Sequence, residues 1–244
     1  MNHKLWEAYL SLCRKVESGG RNHDGQEDPA VLDQQRGFVR EFARWLPPIH
    51  PSGRPARILA PGAISEALLL AEAGYEVHAV VLGPDNIKWL EDRRSRLPHP
   101  DHLRPVEQDG HDLRRFPDGF FDGYFTVQVN EHWIAPLVHI GEVRFVMAPD
   151  AVLFVDACGT TNDACKMIWH TNLVPEKTVL EQWEFWGFYA IWRGSHGDQR
   201  PQFVLKMQPW DHPSFKNSGY LRWVQRLRAG EQIGYDYHCA ECGK

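Results

Sequence analysis

The segment from Arg57 to Gly159 contains four short apolar runs: RILA (57–60), YEVHAVV (75–81), GYFTVQV (123–129) and AVLFVD (151–156). Helix-period sequence separates most of these runs, with turn residues at each switch, and this alternation is typical of consecutive β-α units. Such units predict a parallel sheet whose right-handed helical crossovers cover both faces. The sequence therefore predicts an open, doubly wound α/β domain.

The same alternation predicts where a ligand binds. Open parallel sheets bind ligands at the carboxyl ends of their strands, beside the point where the strand order reverses. In this chain the expected positions directly follow Ala60, Val81, Asp109 and Gln128. We therefore expect a functional site built from these four loops.

Three stretches of this segment resemble class I S-adenosylmethionine-dependent methyltransferases of the small-molecule type: EALLLAEAGYEV (66–77), FPDGFFDGYFTVQVNEH (116–132) and VMAPDAVLFV (146–155). They are similar, in that order, to the first helix with the second strand, the run through the fourth strand, and the fifth strand of that family. The resemblance spans roughly residues 38–209. It implies a mostly parallel, seven-stranded sheet with an antiparallel last strand and helices on both faces.

The resemblance also implies a closing hairpin, a cofactor and a set of site residues. Residues 184–192 and 202–207 are expected to form the hairpin, and the polar link 193–201 is a candidate substrate loop. S-adenosylmethionine is the implied cofactor. The implied contacts are Ala60, Gly62, Asp109, Gly110 and Gln128 for the cofactor, and Asn130, Glu131 and His132 for catalysis on a small-molecule acceptor.

Three of these residues have an ordinary alternative role. Asp109 also fits a loop aspartate that caps the following turn, and Asn130 also fits a helix N-cap. His132 is one of 13 histidines, many of which must be surface residues.

The glycine turn after the first strand departs from the family pattern. The family pattern is D-x-G-x-G-x-G, because glycine lets the backbone approach the ligand and adopt positive φ. This chain reads LAPGAIS (59–65), in which Gly62 remains, Pro61 has no N–H to donate, and Ile64 replaces a further glycine. Val81 stands where an acidic residue would accept both ribose hydroxyls. A catalytically silent binding or scaffolding protein of the same fold is therefore the alternative to an active methyltransferase.

Composition predicts a soluble cytoplasmic enzyme. The 244 residues carry a net charge of −5, which does not favour broad attraction to nucleic acid. No apolar run approaches the roughly 20 residues that cross a bilayer, and the amino terminus has no signal-peptide core. We divide the chain into a helical cap (1–50), which includes a predicted helix from Asp33 to Leu46, a Rossmann-like domain (51–210) and a tail (211–244).

The five cysteines lack the even spacing of a disulfide scaffold. Cys239 and Cys242 form a C-x-x-C followed by glycine, which supplies half of a tetrahedral zinc site. A complete site would need His238, Cys13 or a second chain, and the last option implies a homodimer. A reduced, mobile tail is the alternative.

Overall fold

The computed structural model describes residues 28–133, 135–158, 172, 174–196 and 200–213. Its first described helix, α1 (Pro29–Trp45), starts before the predicted Asp33. Asp28 explains the earlier start, because its carboxylate accepts a hydrogen bond from the Ala30 N–H at 2.8 Å. Proline at the first helical position also suits a helix start.

The remaining strands and helices mostly alternate along the chain, as the sequence predicted, although two pairs of consecutive strands have no described helix between them. The strands are β1 (Arg57–Pro61), β2 (Glu76–Val81), β3 (Leu103–Glu107), β4 (Phe121–Val127), β5 (Met147–Asp156), β6 (Phe188–His196) and β7 (Arg200–Met207). The helices are α2 (Ser65–Glu72), α3 (Pro84–Arg94), α4 (Pro136–Val146) and α5 (Glu176–Phe185).

The seven strands form one sheet in the order β3-β2-β1-β4-β5-β7-β6. Strands β1 to β5 pair in parallel, whereas β7 pairs antiparallel with both β5 and β6. The strand order reverses between β1 and β4. The predicted fold, a doubly wound sheet with an antiparallel last strand, is confirmed.

Helices cover both faces of this sheet, as two neighbouring residues of β4 show. Phe125 packs edge-on against Phe42 of α1, with ring centroids 5.4 Å apart. Tyr124 points to the opposite face, where it meets Trp183 of α5 at 5.5 Å. Trp183 and Trp186 are buried, so these two tryptophans fill the core.

Two predictions about the connections need correction. The polar link 193–201 is not a long loop, because β6 and β7 continue to pair as far as His196 and Arg200. Strand β6 lies at the sheet edge, so alternate polar side chains face solvent without ending the strand. Strand β4 ends at Val127 rather than Val129, because Gln128 leaves the extended conformation with φ of 53°.

Internal contacts divide the chain into two compact units, Met1–Met207 and Gln208–Lys244. Only 208–213 of the second unit are described, and there the His212 N–H bonds to the Pro209 carbonyl at 3.0 Å. The predicted cap before residue 28 and the C-x-x-C tail lie outside the described residues. Over the described ranges, none of the helices combines the length and apolar character needed to span a bilayer.

Candidate active site at the carboxyl edge of the sheet

Backbone hydrogen bonds continue the sheet beyond its strand ends. The Gly62 N–H bonds to the Val80 carbonyl at 2.9 Å, and the Gln128 N–H bonds to the Asp156 carbonyl at 2.9 Å. At the β2–β3 pair, the Gln108 N–H bonds to the Val81 carbonyl at 3.1 Å. The loops after β1, β3 and β4 are therefore fixed to one edge, where the order of strands reverses.

The glycine turn is packed against the loop that follows β4. Gly62 has φ of 65°, and a Cβ added to it would lie 2.7 and 2.8 Å from the two methyl groups of Val129. Ala60 is fully buried within β1, where it pairs with Ala79. The side of Gly62 that a Cβ would occupy is thus filled by a side chain of the protein itself.

The glycine pattern ends on a glutamate. Counting D-x-G-x-G-x-G from Ala60 places Ile64 at the second glycine and Glu66 at the third. Glu66 lies in the first turn of α2 and is 7% exposed. Burial, reinforced by the nearby charge of Asp156, raises the pKa of Glu66 to about 7, although hydrogen bonds from its own backbone, Ser65 and Gln35 oppose the shift.

The end of β2 is apolar and buried. Val81 is 3% exposed and belongs to the apolar core beneath α1 to α3. Asn86, in the first turn of α3, donates its side-chain amide to the Leu82 carbonyl at 2.8 Å. Asp85 is exposed on the first turn of α3.

After β3, Asp109 makes the turn-capping contacts of its alternative role. Its Oδ1 accepts the backbone N–H of His111 at 2.9 Å and lies 2.7 Å from Nδ1 of the same residue. The neighbouring Gly110 carbonyl accepts a hydrogen bond from His139 Nδ1 at 2.6 Å. Hydrogen bonds to His111 and His139 therefore hold the loop that contains Asp109 and Gly110.

His139 links that loop to the sheet. Its other ring nitrogen, Nε2, lies 3.0 Å from the Tyr124 hydroxyl, and since Nδ1 donates to Gly110, the hydroxyl donates to Nε2. Burial, with a smaller effect of His111, holds the pKa of His139 well below its ordinary value. The neutral imidazole is thus a structural bridge, which sequence reasoning missed because nothing in the pattern distinguishes His139 among 13 histidines.

The loop after β4 contains the predicted catalytic residues. Gln128 occupies the left-handed region with φ of 53°, which is uncommon for a non-glycine residue and is concentrated at functional sites. Asn130, Glu131 and His132 then form a 3-10 turn with no side-chain cap, so Asn130 does not act as an N-cap. Asn130 and Glu131 are buried, and His132 is half-buried.

Three buried side-chain oxygens at this edge have no hydrogen-bond partner within the described ranges. They are Gln108 Oε1 after β3, Asn130 Oδ1 after β4 and Asp156 Oδ1 at the end of β5. Burial raises the pKa of Asp156 to about 6, whereas a hydrogen bond from Gln202 and the charge of Arg200 lower it. Sequence reasoning did not assign Gln108 or Asp156 to the site, although both stand at strand ends.

The predicted metal ligands Cys239 and Cys242 lie outside the described residues. Where the chain is described, His99, Asp101 and His102 bring their ligand atoms within 4.8 Å of one another. That group precedes β3, at the opposite edge from the carboxyl ends of the strands. It is therefore separate from the candidate active site.

Known proteins match this chain in sequence and in fold. Residues 59–155 match the family model described as a methyltransferase domain. The 2-methyl-6-phytyl-1,4-hydroquinone methyltransferase of Synechocystis sp. is 24% identical over 170 residues, which cover 67% of this chain and 52% of the relative. This chain therefore matches about half the length of that curated relative.

Solved structures show the same fold. A 1,6-didemethyltoxoflavin-N1-methyltransferase of Burkholderia thailandensis aligns with a TM-score of 0.62 and 16% identity, over 86% of this chain and 91% of its own. A SAM-dependent methyltransferase of Aquifex aeolicus aligns with a TM-score of 0.62 and 14% identity, over 76% and 96%. The resemblance to class I S-adenosylmethionine-dependent methyltransferases is confirmed, with a methyltransferase domain at residues 59–155.

Proposed function

We propose that this protein is an S-adenosylmethionine-dependent methyltransferase that acts on a small-molecule acceptor. The observation that carries the proposal is the set of buried, unpartnered oxygens Gln108 Oε1, Asn130 Oδ1 and Asp156 Oδ1. A buried polar atom without a partner costs about 1–3 kcal/mol, so a protein retains several at one edge when a ligand satisfies them.

The donors of the cofactor complement these acceptors. S-adenosylmethionine carries an ammonium group, two ribose hydroxyls and an adenine amino group, all of which donate hydrogen bonds. Ala60, Gly62, Asp109, Gly110 and Gln128 would hold it, with Gln108 and Asn130 as added acceptors at either side of β1. The fit is uneven, because Ala60 and the core-facing Val81 offer no acid for the ribose.

When bound, the cofactor supplies an electrophilic methyl group. The role of the protein is then to hold the acceptor in line and exclude water. Asn130 and Glu131 lie in the buried part of the β4 loop, where Asn130 can contact the cofactor and the methyl acceptor at their junction and Glu131 can orient the methyl acceptor. His132 is the half-buried member of the same turn, and an imidazole there can take a proton from the acceptor near neutral pH.

A small acceptor is supported by the names of two relatives. One acts on a hydroquinone, and another was crystallised with 1,6-didemethyltoxoflavin and S-adenosylhomocysteine. We also propose a cytoplasmic location and a homodimer.

A silent binding protein of the same fold is the second candidate. It is favoured by Val129, which fills the space at Gly62, and by Glu66, which brings a buried carboxyl group to the third glycine position. Both features occupy room that the family pattern leaves open for the ligand.

Calorimetric titration with S-adenosylhomocysteine separates the two candidates. We expect saturable one-to-one binding, and Asp109→Ala should weaken it by roughly 1–3 kcal/mol, the scale of a lost hydrogen bond to a charged group. Asp112→Ala is the control, because the side chain of this half-buried neighbour pairs with Arg114, with 2.7 Å between Oδ2 and Nη2. Absence of heat in the folded, unmutated protein would establish the silent alternative.

A further inference from the structure

Four polar side chains meet on one face of the sheet, at the carboxyl end of β5 and the amino end of the antiparallel strand β7. Phe154 of β5 packs against Phe38 of α1, so Asp156, two residues later, is on the same face. Gln202 of β7 stands opposite Asp156 in the sheet, and its Nε2 donates to Asp156 Oδ2 at 2.7 Å. Glu66 of α2 and Gln35 of α1 complete the group on that face, which we call the acidic cluster.

The acidic cluster has more acceptors than donors. Gln202 satisfies one oxygen of Asp156, and the Gln35 side chain bonds to Glu66. Asp156 Oδ1 and Gln35 Oε1 are buried and have no partner in the described chain. Both unpartnered atoms can only accept hydrogen bonds. What the cluster needs is therefore a group with N–H or O–H donors.

The charges point in the same direction. Burial raises the pKa of both acids, to about 7 for Glu66 and about 6 for Asp156. The charge of Arg200 lowers the pKa of Asp156 without returning it to its ordinary value. Ionisation of either carboxyl group would place negative charge in the cluster, and a cation would stabilise that charge.

We propose that Gln35, Glu66 and Asp156 bind a basic nitrogen group of the methyl acceptor: an ammonium, an amidinium or a protonated nitrogen heterocycle. The proposal rests on the proposed function, since it assigns the substrate class of the same edge. Asp156 is fully buried, whereas Gln35 and Glu66 are 9% and 7% exposed, so the proposal requires a ligand to enter from their side. Such a donor satisfies both unpartnered oxygens and the net negative charge together.

The test uses three probes of similar size that differ in charge: benzylammonium chloride, benzyl alcohol and sodium benzoate. Carbon-13 NMR of the Asp and Glu carboxyl groups in the full chain reports binding. We expect benzylammonium to shift the Glu66 and Asp156 signals at pH 7.5, with affinity at least tenfold above that for benzyl alcohol and no effect of benzoate. Affinity should fall severalfold between pH 7.5 and 5, as both carboxylates take up protons.

Two charge-removing variants and one control sharpen the test. Asp156→Asn and Glu66→Gln should each weaken benzylammonium binding at least tenfold, whereas Asp92→Asn, an exposed carboxylate paired with Lys88, should not change it. Melting curves verify that each variant folds, and either folded variant suffices. Equal binding in wild type and variants, or equal affinity for benzyl alcohol, would overturn the proposal.

The titration with S-adenosylhomocysteine keeps the two proposals distinguishable. If the protein binds S-adenosylhomocysteine but does not discriminate among the three probes, the cation site alone is overturned. Selective benzylammonium binding without cofactor binding overturns the methyltransferase and leaves a cation-binding protein of the same fold.

Discussion

The two halves of the carboxyl edge present opposite surfaces to a ligand. Around β1 and β2 the edge is apolar. Ala60 and Val81 are buried there, and Val129 packs onto Gly62. Around β4 and β5 the chemistry is polar, with unpartnered oxygens on Asn130 and Asp156. The same sheet edge therefore carries a closed, apolar half and a polar half with buried acceptors.

This difference between the two halves indicates which contacts can supply binding free energy in this fold. Family members draw on glycine backbone and a ribose-binding acid after β1 and β2. Here two unsatisfied acceptors, on Asn130 and Asp156, stand after β4 and β5, and a third, on Gln108, stands after β3. We expect a ligand to contact these oxygens. Each prediction below changes one half and leaves the other intact.

Val81→Asp should have the largest effect. It restores the acid of the family pattern in sequence, but the Val81 side chain lies in the apolar core at 3% exposure. An unpaired charge buried there costs about 3–5 kcal/mol. Urea unfolding should show that loss, and calorimetry should show no tighter binding of S-adenosylhomocysteine. A stable variant with increased affinity would show that the β1–β2 half is open after all.

Gly62→Ala should have the next largest effect, a loss of about 2–4 kcal/mol in the free energy of unfolding. Strain at positive φ adds there to the collision with Val129. Gly119→Ala is the matched control, since Gly119 has a similar φ of 69° but nothing within 4 Å of an added Cβ. It should cost only about 1–2 kcal/mol. The double variant Gly62→Ala with Val129→Ala should recover part of the loss in urea unfolding, and failure of that rescue would exclude Val129 as the cause.

The sequence predicted the fold well because its signals are local. Alternating apolar runs and turn residues specify β-α units, and the hairpin at β6 and β7 follows from two strand-like runs. The polar link 193–201 misled because an edge strand tolerates polar residues on its solvent side.

The sequence predicted which residues share the carboxyl edge of the sheet but not how they pack there. Gly62, Asp109 and Gln128 lie at one edge, as strand ends require. The packing of Val129 on Gly62 and the left-handed Gln128 depend on contacts between distant segments, which no local pattern records. Glu66 was visible by counting the glycine motif, but its proximity to Asp156 required the strand order.

Asp156→Asn tests the polar half through the pH dependence of stability. Burial raises the pKa of Asp156 from 3.8 to about 6, so the folded state binds the proton more tightly than the unfolded state. Wild-type stability from this group is therefore full below pH 4 and is lost as the pH rises through 6. The variant should be more stable than wild type by about 1–3 kcal/mol above pH 7, with a difference near zero at pH 3.5. A pH-independent difference in urea unfolding would contradict the buried, ionisable assignment.

Asn130→Leu should have the smallest effect on stability and the most informative sign. Leucine is similar in size and removes Oδ1, the buried acceptor without a partner, while the backbone carbonyl still accepts from Asn172. Relief of the desolvation cost should raise stability by about 1 kcal/mol. Affinity for S-adenosylhomocysteine should fall about tenfold, because the ligand loses the acceptor that it would satisfy. Gln182→Leu is the control, since its side chain bonds to Asn172 and not to the strand ends. Opposite changes in stability and affinity are the signature of a polar group retained for a ligand, whereas a parallel loss of both would assign Asn130 to structure alone.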